Sequence, residues 1–332
     1  MTRKTRPDLG GTPTDPDTRP IYKGPRLKSR LIEAVEVPFR ALLYRISPVL
    51  LVQYLSLRFR RHLYHPGQAR TFDDKLLWLM LYWQEPLKSR CADKLAVRSY
   101  VEERGLGRLL PELLGVYGSA SEIDLDRLPS QFVLKCTHGS RFNLFCRDKS
   151  TFDKGRARKT LDAWLKQDLS KIGAELHYAS IRPRIICEAL LEDRPSEALD
   201  DYKVCCFAGK PHCTMVCTGR STSRLKFDFY DLPWKAKLPY VRREVSSGRD
   251  IPKPAAYEEM VAAAEVLSKP FPFVRVDFYS VNGRAVFGEM TFTPNGCIDL
   301  DLTDEAQTAM GDLIILPDRL RARRGRPSRP TT

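Results

Sequence analysis

Apolar and polar positions along the chain change period twice. Residues 31–63, LIEAVEVPFRALLYRISPVLLVQYLSLRFRRHL, are apolar, but Arg40, Arg45, Arg58, Arg60 and Arg61 punctuate them and Pro38 and Pro48 break them. The uninterrupted run is too short to span a bilayer. Two readings stay open: a segment lying in a membrane interface with its arginines at the headgroups, or a helical pair packed on the main domain. Thr71-x-x-Asp74 then opens a helix, with Leu76, Leu77, Met80 and Trp83 as its apolar face. Asp93 caps a second helix, expected over 94–104, that Gly105 ends.

From about residue 131 the period falls to two. QFVLKCT and FNLFCRD read as strands separated by His138-Gly139-Ser140-Arg141, and a polar helix is expected over 152–170. PRIICEALL is another strand, and YKVCCFA with PHCTMVCT forms a hairpin over Gly209-Lys210. Residues 256–269 make an amphipathic helix through Met260, Ala264 and Leu267. The order is helices, small sheet, helix, then a larger, mostly antiparallel sheet. That is an α+β fold.

The last hairpin, VRVDFYSVNGRAVFGEMTFTPNG over 274–296, places two carboxylates, Asp277 and Glu289, in an apolar setting. Register decides what they do. With a two-residue loop at Asn282-Gly283, Asp277 pairs with Gly288, and Glu289 pairs with Val276 and faces away. With a three-residue loop whose Gly283 forms a bulge, Asp277 pairs with Phe287 and Arg275 with Glu289. The second register separates apolar from polar positions more cleanly and is the one expected, because a buried face specifies register. Asp277 and Glu289 then lie diagonally on one face, about 7–8 Å apart. From there they can hold a hard divalent cation, since Mg²⁺ takes one or two carboxylates together with substrate phosphates. The alternative is a plain salt bridge from Arg275 to Glu289.

Charge narrows the partners. The formal charge of +14 resides at the ends: residues 1–62 hold 13 Lys and Arg against 5 Asp and Glu, and residues 319–332 hold six Arg and no acid. The central 256 residues are neutral. The ends are either solvated basic tails or docking elements for an anionic surface. A neutral core without aromatic–basic interleaving argues against nucleic acid. Nine scattered cysteines and an N-terminus without an apolar core, MTRKTRPDLGG, lead to an expectation of reduced thiols in a cytoplasmic protein. His212-Cys213 with Cys217 lacks a fourth ligand and reads as packing.

The phosphate-loop and dinucleotide glycine motifs are missing, as are HExxH and GxSxG. Lysines remain as phosphate binders. Lys135 sits inside an apolar strand, where a charge is costly without a partner. It meets a phosphate, with backbone N–H groups of His138-Gly139-Ser140 nearby, or it snorkels to water. Lys94 stands at a helix start, where the dipole disfavours a cation.

Taken together, DK at 93–94, VLKCTHGS at 133–140, IICEALL at 185–191, DYKVCCFAGK at 201–210 and VRVDFY…FGEMTFTPNG at 274–296 resemble the ATP-grasp superfamily, and within it the TupA-like ATP-grasp family. The resemblance runs from about residue 70 to 316. It implies two α+β subdomains gripping ATP, preceded by a helical N-terminal region. The expected layout is a disordered basic tail at 1–30, a basic amphipathic helical segment at 31–63, a helical region at 64–125, an ATP-grasp domain at 126–318 and an Arg-rich disordered tail at 319–332; the segments before residue 64 and after 318 are read from composition and lie outside the resemblance. It implies ATP and Mg²⁺ as cofactors. Lys94 and Lys135 look like the phosphate-binding lysines, and His138, Gly139 and Ser140 like the loop that closes on the phosphates. Glu188 looks like the hinge acid near adenine and ribose. Lys203 is family-typical, and Asp277 and Glu289 look like the magnesium ligands. The superfamily often carries Glu-x-Asn at the last metal strand. Here the run is Glu289-Met290-Thr291, and Asn295 is the candidate replacement ligand.

The implied chemistry is carboxylate–amine ligation through an acylphosphate, with Lys135 and Arg275 as catalytic residues and Arg275 holding the acylphosphate or carboxylate. The implied setting is cell-surface polysaccharide or peptide-polymer synthesis in the cytoplasm, with carboxylate and amine substrates and peripheral contact with the inner membrane through the basic ends. Rivals are an ATP-grasp phosphotransferase, a sugar-nucleotide glycosyltransferase and a non-enzymatic basic-tailed adaptor.

Overall fold

A computed structural model describes residues 26–192, 199–219 and 225–318, with side chains placed from Val35 onward. The tails expected at 1–30 and 319–332 lie outside the described residues, except that Arg26–Arg30 already belong to the first helix. The helices are α1 (Arg26–Ile46), α2 (Pro48–Arg60), α3 (Phe72–Tyr82), α4 (Pro86–Ala92), α5 (Ala96–Glu103), α6 (Lys154–Leu165), α7 (Leu169–Gly173), α8 (Tyr257–Ser268) and α9 (Asp304–Leu313). The strands are β1 (Leu113–Tyr117), β2 (Phe132–Cys136), β3 (Asn143–Cys146), β4 (Ile185–Ala189), β5 (Asp201–Phe207), β6 (Lys210–Thr218), β7 (Lys226–Asp231), β8 (Lys237–Leu238), β9 (Phe273–Val281) and β10 (Arg284–Thr291).

Local chemistry sets several boundaries. The Thr71 hydroxyl accepts from the Asp74 N–H and starts α3. The Asp93 carboxylate takes the N–H groups of Leu95 and Ala96, which opens α5 two residues later than expected. The polar helix expected over 152–170 is two helices. The chain breaks after Leu165, and Asp168 caps α7 through the Ser170 N–H. The stretch 64–125 is not wholly helical: β1 lies within it and pairs with β4, so the small sheet begins before residue 126.

Two antiparallel sheets carry the architecture, a small one in the order β1-β4-β2-β3 and a large one in the order β10-β9-β5-β6-β7-β8. Alternation divides each into two faces. On the small sheet, Phe132, Leu134, Ile185 and Cys187 turn into their own core with Leu161 of α6. Val133, Lys135, Ile186 and Glu188 occupy the other face. On the large sheet, Val204, Val274, Val276 and Phe278 are fully buried in the main core beside Ala263, Ala264 and Leu267 of α8. Each such side chain contributes about 1.5–3 kcal/mol. The opposite face presents Asp201, Lys203, Arg275 and Asp277. All nine cysteines are buried free thiols, and eight of them lie in the two cores like small apolar residues.

The last hairpin corrects the expected register. Val281 pairs with Arg284 across a two-residue loop, in which Asn282 (φ 50°) and Gly283 (φ 73°) both take the left-handed conformation. That turn matches the natural twist of paired strands, and it outweighs the tidier face separation of a three-residue loop. The face separation is restored further along. Phe287 pairs with Phe278, the ladder then shifts at Gly288, and Glu289 pairs with Asp277. A β-carbon at position 288 would lie 3.0 Å from the Asp277 carbonyl oxygen, so glycine suits the bulge. Ala285, Phe287 and Met290 are buried with Val276 and Phe278. The two carboxylates therefore stand directly opposite each other rather than diagonally.

Among the described residues, no helix is long and apolar enough to cross a membrane.

Candidate active site

The polar face of the small sheet meets β10 at a narrow cleft of about 10 Å³, lined by Lys94, Arg98, Lys135, Ile186 and Glu188 together with Phe287 and Gly288 of β10. β2 and β4 set Lys135 and Glu188 two positions apart in register on one face, and the Lys135 ammonium meets the Glu188 carboxylate at 2.7 Å. The other Glu188 oxygen takes a hydrogen bond from the Arg98 guanidinium at 2.9 Å, while Arg98 also donates to the Pro111 carbonyl at 2.8 Å. Glu188 is thus a buried acid shared by two cations. Arg98 was not singled out from sequence, although it follows Lys94 by four residues, one turn along the same stretch.

Lys94 lies between α4 and α5, where its backbone N–H donates to the Thr137 carbonyl at 3.3 Å. Its ammonium donates to the Gly139 carbonyl and stands 4.0 Å from a Glu289 oxygen. Burial pushes the Lys94 ammonium below its ordinary range; Glu289 opposes the shift and nearby Lys135 adds to it. The turn at His138-Gly139-Ser140 therefore meets Lys94 with a carbonyl rather than an N–H. Gly139 is buried, and a β-carbon there would come within 2.7 Å of the Phe142 ring. The His138 ring is turned away, against Phe142 and the Trp164 carbonyl, at 3.2 Å from the latter. Ser140 is exposed.

The acidic side is built on β5, β9 and β10. Asp277 is 2% exposed. Its carboxylate receives Arg275 Nε at 2.7 Å and Nη2 at 2.8 Å, and forms an ion pair with Lys203, which also lies 3.6 Å from Asp201. Burial disfavours the charged form of Asp277, but Arg275 and then Lys203 outweigh it, so its carboxyl titrates below the usual range. Two of the three Arg275 nitrogens are committed to Asp277, which makes Arg275 a positioning group for that carboxylate. Arg275 Nη2 also donates to the Thr291 hydroxyl at 3.2 Å, and Thr291 donates to Glu289 at 3.2 Å. Glu289 itself is 40% exposed along its side chain. Asn295 makes no hydrogen bond to this group among the described residues. It occupies a left-handed turn after β10 (φ 48°), and its amide donates to Asp299 at 2.7 Å. Thr291, two residues beyond Glu289 on the same face, is the neighbour that bonds Glu289. Tyr178 was also missed from sequence: burial, Glu175 and then Glu289 push its phenol well above the ordinary range.

The donor set fits a hard divalent cation. Asp277 and Glu289 offer carboxylate oxygens in direct opposition; Glu289 is open to solvent, and Arg275 and Lys203 bond both oxygens of Asp277. No cluster of three or more His, Cys, Asp or Glu suited to a metal occurs among the described residues. A cation here would complete its shell with phosphate or water oxygens, the habit of Mg²⁺.

The family model described as TupA-like ATPgrasp matches residues 74–315. No curated protein matches the chain. Among solved structures, a D-alanine–D-alanine ligase from Bacillus anthracis complexed with ATP overlaps with TM-score 0.46 at 16% identity, covering 78% of this chain and 77% of its own. A D-cycloserine synthetase overlaps with TM-score 0.39 at 15% identity, covering 71% and 72%.

Proposed function

Because the chain belongs to the TupA-like ATP-grasp family, we propose that it is an ATP-dependent carboxylate–amine ligase that forms a carbon–nitrogen bond through an acylphosphate. The observation that carries this reading is Glu289, which stands opposite Asp277 in register, lies 4.0 Å from the Lys94 ammonium and follows Gly288 of the cleft that Lys94 and Lys135 line.

A substrate carboxylate oxygen attacks the γ-phosphorus of ATP, the bond to the β-phosphate oxygen breaks, and ADP leaves. The amine nitrogen then attacks the acyl carbon, phosphate departs with the C–O electron pair, and the nitrogen gives its proton to water. Lys94 and Lys135 offset phosphate charge that would otherwise be buried, so this chemistry rests on positioning and electrostatics. Asp277 and Glu289 would hold Mg²⁺, which supplies further neutralisation of the phosphate oxygens. Arg275 and Lys203 keep Asp277 ionised and aimed. A space of about 10 Å³ is far below the ~300 Å³ of a small-molecule pocket. Nucleotide entry therefore requires the small sheet and β10 to separate, and Lys94 to exchange the Gly139 carbonyl for a phosphate.

The same reading places the ligation in cell-surface polysaccharide or peptide-polymer synthesis. The sequence resemblance supports that setting.

Calorimetry with ATP, with and without Mg²⁺, tests the site on wild type and Asp277→Asn/Glu289→Gln. Magnesium-dependent binding that the double variant loses is expected. A carboxylate-plus-amine screen for ADP release then separates a ligase from a phosphotransferase, which needs no amine. Absence of ATP binding by folded wild type overturns the reading and shifts attention to nucleotide-sugars.

A further inference from the structure

The N-terminal helical hairpin is amphipathic in the inverted sense. On α1, Glu36 and Arg40 are 7% and 5% exposed and pair at 2.5 Å, with the Tyr54 hydroxyl of α2 donating to Glu36 at 3.2 Å. The polar side of the helix faces inward. The outward stripe is Val35, Phe39, Leu42 and Ile46, at 73%, 43%, 54% and 65% exposure. Their spacing of four, three and four residues makes one continuous face. Leu50, Leu57 and Leu63 extend the apolar surface onto α2 and beyond it. Of thirteen exposed large hydrophobic residues among those described, eight fall between Val35 and Leu63. Scattered exposed side chains need no explanation, but a contiguous patch of this kind marks an interaction site.

Charge selects the partner. Arg45, Arg58 and Arg61 are exposed around the patch. The C-terminal exit lies near the end of α2: adjacent α3 residues tie Arg60 to Asp74 at 2.7 Å and Lys75 to the Ile314 carbonyl at 2.9 Å. Ile315, 73% exposed, follows there, just before the six-arginine sequence of 319–332. The six-arginine sequence thus leaves the described structure near the end of α2, where Arg58 and Arg61 are exposed. A second copy docked on this face would bring like charge to like charge, whereas an anionic bilayer attracts each nearby Lys or Arg.

We infer that the α1–α2 face is a membrane-docking surface that lies in the interface of an anionic bilayer, with Val35, Phe39, Leu42 and Ile46 below the headgroups and the arginines among them. This is independent of the reaction proposed above, since it uses no residue of the cleft. Leu51, Val52 and Leu55 of α2 belong to the core, so point substitutions are cleaner than removing the hairpin.

The test is co-sedimentation of the full chain with phosphatidylcholine vesicles, with and without phosphatidylglycerol. Wild type is expected to bind the anionic vesicles at least tenfold more tightly than the neutral ones, with salt weakening the binding. Phe39→Glu/Leu42→Glu should lose at least tenfold in vesicle binding with an unchanged melting temperature and unchanged ATP affinity. Arg45→Glu/Arg61→Glu should narrow the preference for anionic vesicles. Equal binding to both vesicle types, or vesicle binding that survives both double variants, overturns the proposal. So does a wild-type dimer in sedimentation velocity that Phe39→Glu/Leu42→Glu converts to monomer while no form binds vesicles.

Discussion

Gly288→Ala probes the link between backbone register and chemistry. The new methyl would lie 3.0 Å from the Asp277 carbonyl oxygen and 3.3 Å from the Tyr279 ring, inside ordinary contact distance. The strands must part by a few tenths of an ångström at the pair that holds both acids. Overpacking of this kind costs about 1–3 kcal/mol, and the stiffer unfolded chain returns about 0.4–1 kcal/mol. A net loss of about 1–2 kcal/mol follows, or roughly 1–3 °C in melting temperature for a chain of this length. The functional effect should exceed the stability effect, because the displaced atoms carry Asp277 and face Glu289. ATP–Mg²⁺ affinity is expected to fall at least tenfold, about 1.4 kcal/mol. Gly283→Ala is the control. It meets nothing within 4 Å but sits at φ 73°, so it should cost about 1–2 kcal/mol of backbone strain and leave ATP affinity alone. Thermal unfolding and calorimetry on both variants decide the matter. A Gly288→Ala protein with wild-type affinity refutes the role given to the bulge, whatever its melting temperature.

Three further expectations concern buried charge. Arg98→Ala leaves Glu188, with a side chain 6% exposed, to Lys135 alone; a loss of about 2–3 kcal/mol in chemical denaturation is expected, and Arg98→Lys should recover little because one guanidinium serves both Glu188 and Pro111. Lys203→Met strips Asp277 of one of its two cations, so Mg²⁺ should raise the melting temperature of this variant more than that of wild type, and an equal response would count against Asp277 as a ligand. Burial lifts the Asp73 carboxyl to about 7, with Gln307 and the Asp299 N–H opposing. The folded state then holds a proton that the unfolded chain releases from about pH 4, so stability falls as pH rises from 4 to 7. Asp73→Asn should be neutral near pH 4 and stabilising by about 2–4 kcal/mol at pH 8, and a pH-independent difference in unfolding free energy would contradict this.

Much of this was legible along the chain because it is local. The Thr71 cap, the period-two strands and the α+β order followed from residues a few positions apart. β1 escaped because LLGVY is short and mixed, and α4 because seven residues barely establish a helical period. The hairpin shows where local rules compete: Asn-Gly fixed the turn and Gly288 absorbed the mismatch, and the pattern alone could not say which glycine would hold the bulge. Lys135, Asp277 and Glu289 were each visible as a charge out of place among apolar neighbours and Lys94 as a cation at a helix start, whereas Glu188 and Lys203 followed only from the family resemblance. Arg98 with Glu188, 90 residues apart, was not visible, since no spacing rule joins α5 to β4. Asn295 is held by its own turn and by Asp299.

The buried thiols turn the molecule into its own reporter of breathing. Cys136, Cys146 and Cys187 belong to the small-sheet core, Cys205, Cys206 and Cys213 to the main core, and Cys91 and Cys297 lie beneath the helices. Burial raises the thiols of Cys91, Cys136 and Cys187 to about 12, so these react only when the backbone around them opens. Pulsed alkylation read by peptide mass would time the opening of each layer separately, without any introduced label. Whether the small sheet swings as a unit when nucleotide enters would then appear as three cysteines changing rate together while those beneath β5 and β6 stay silent.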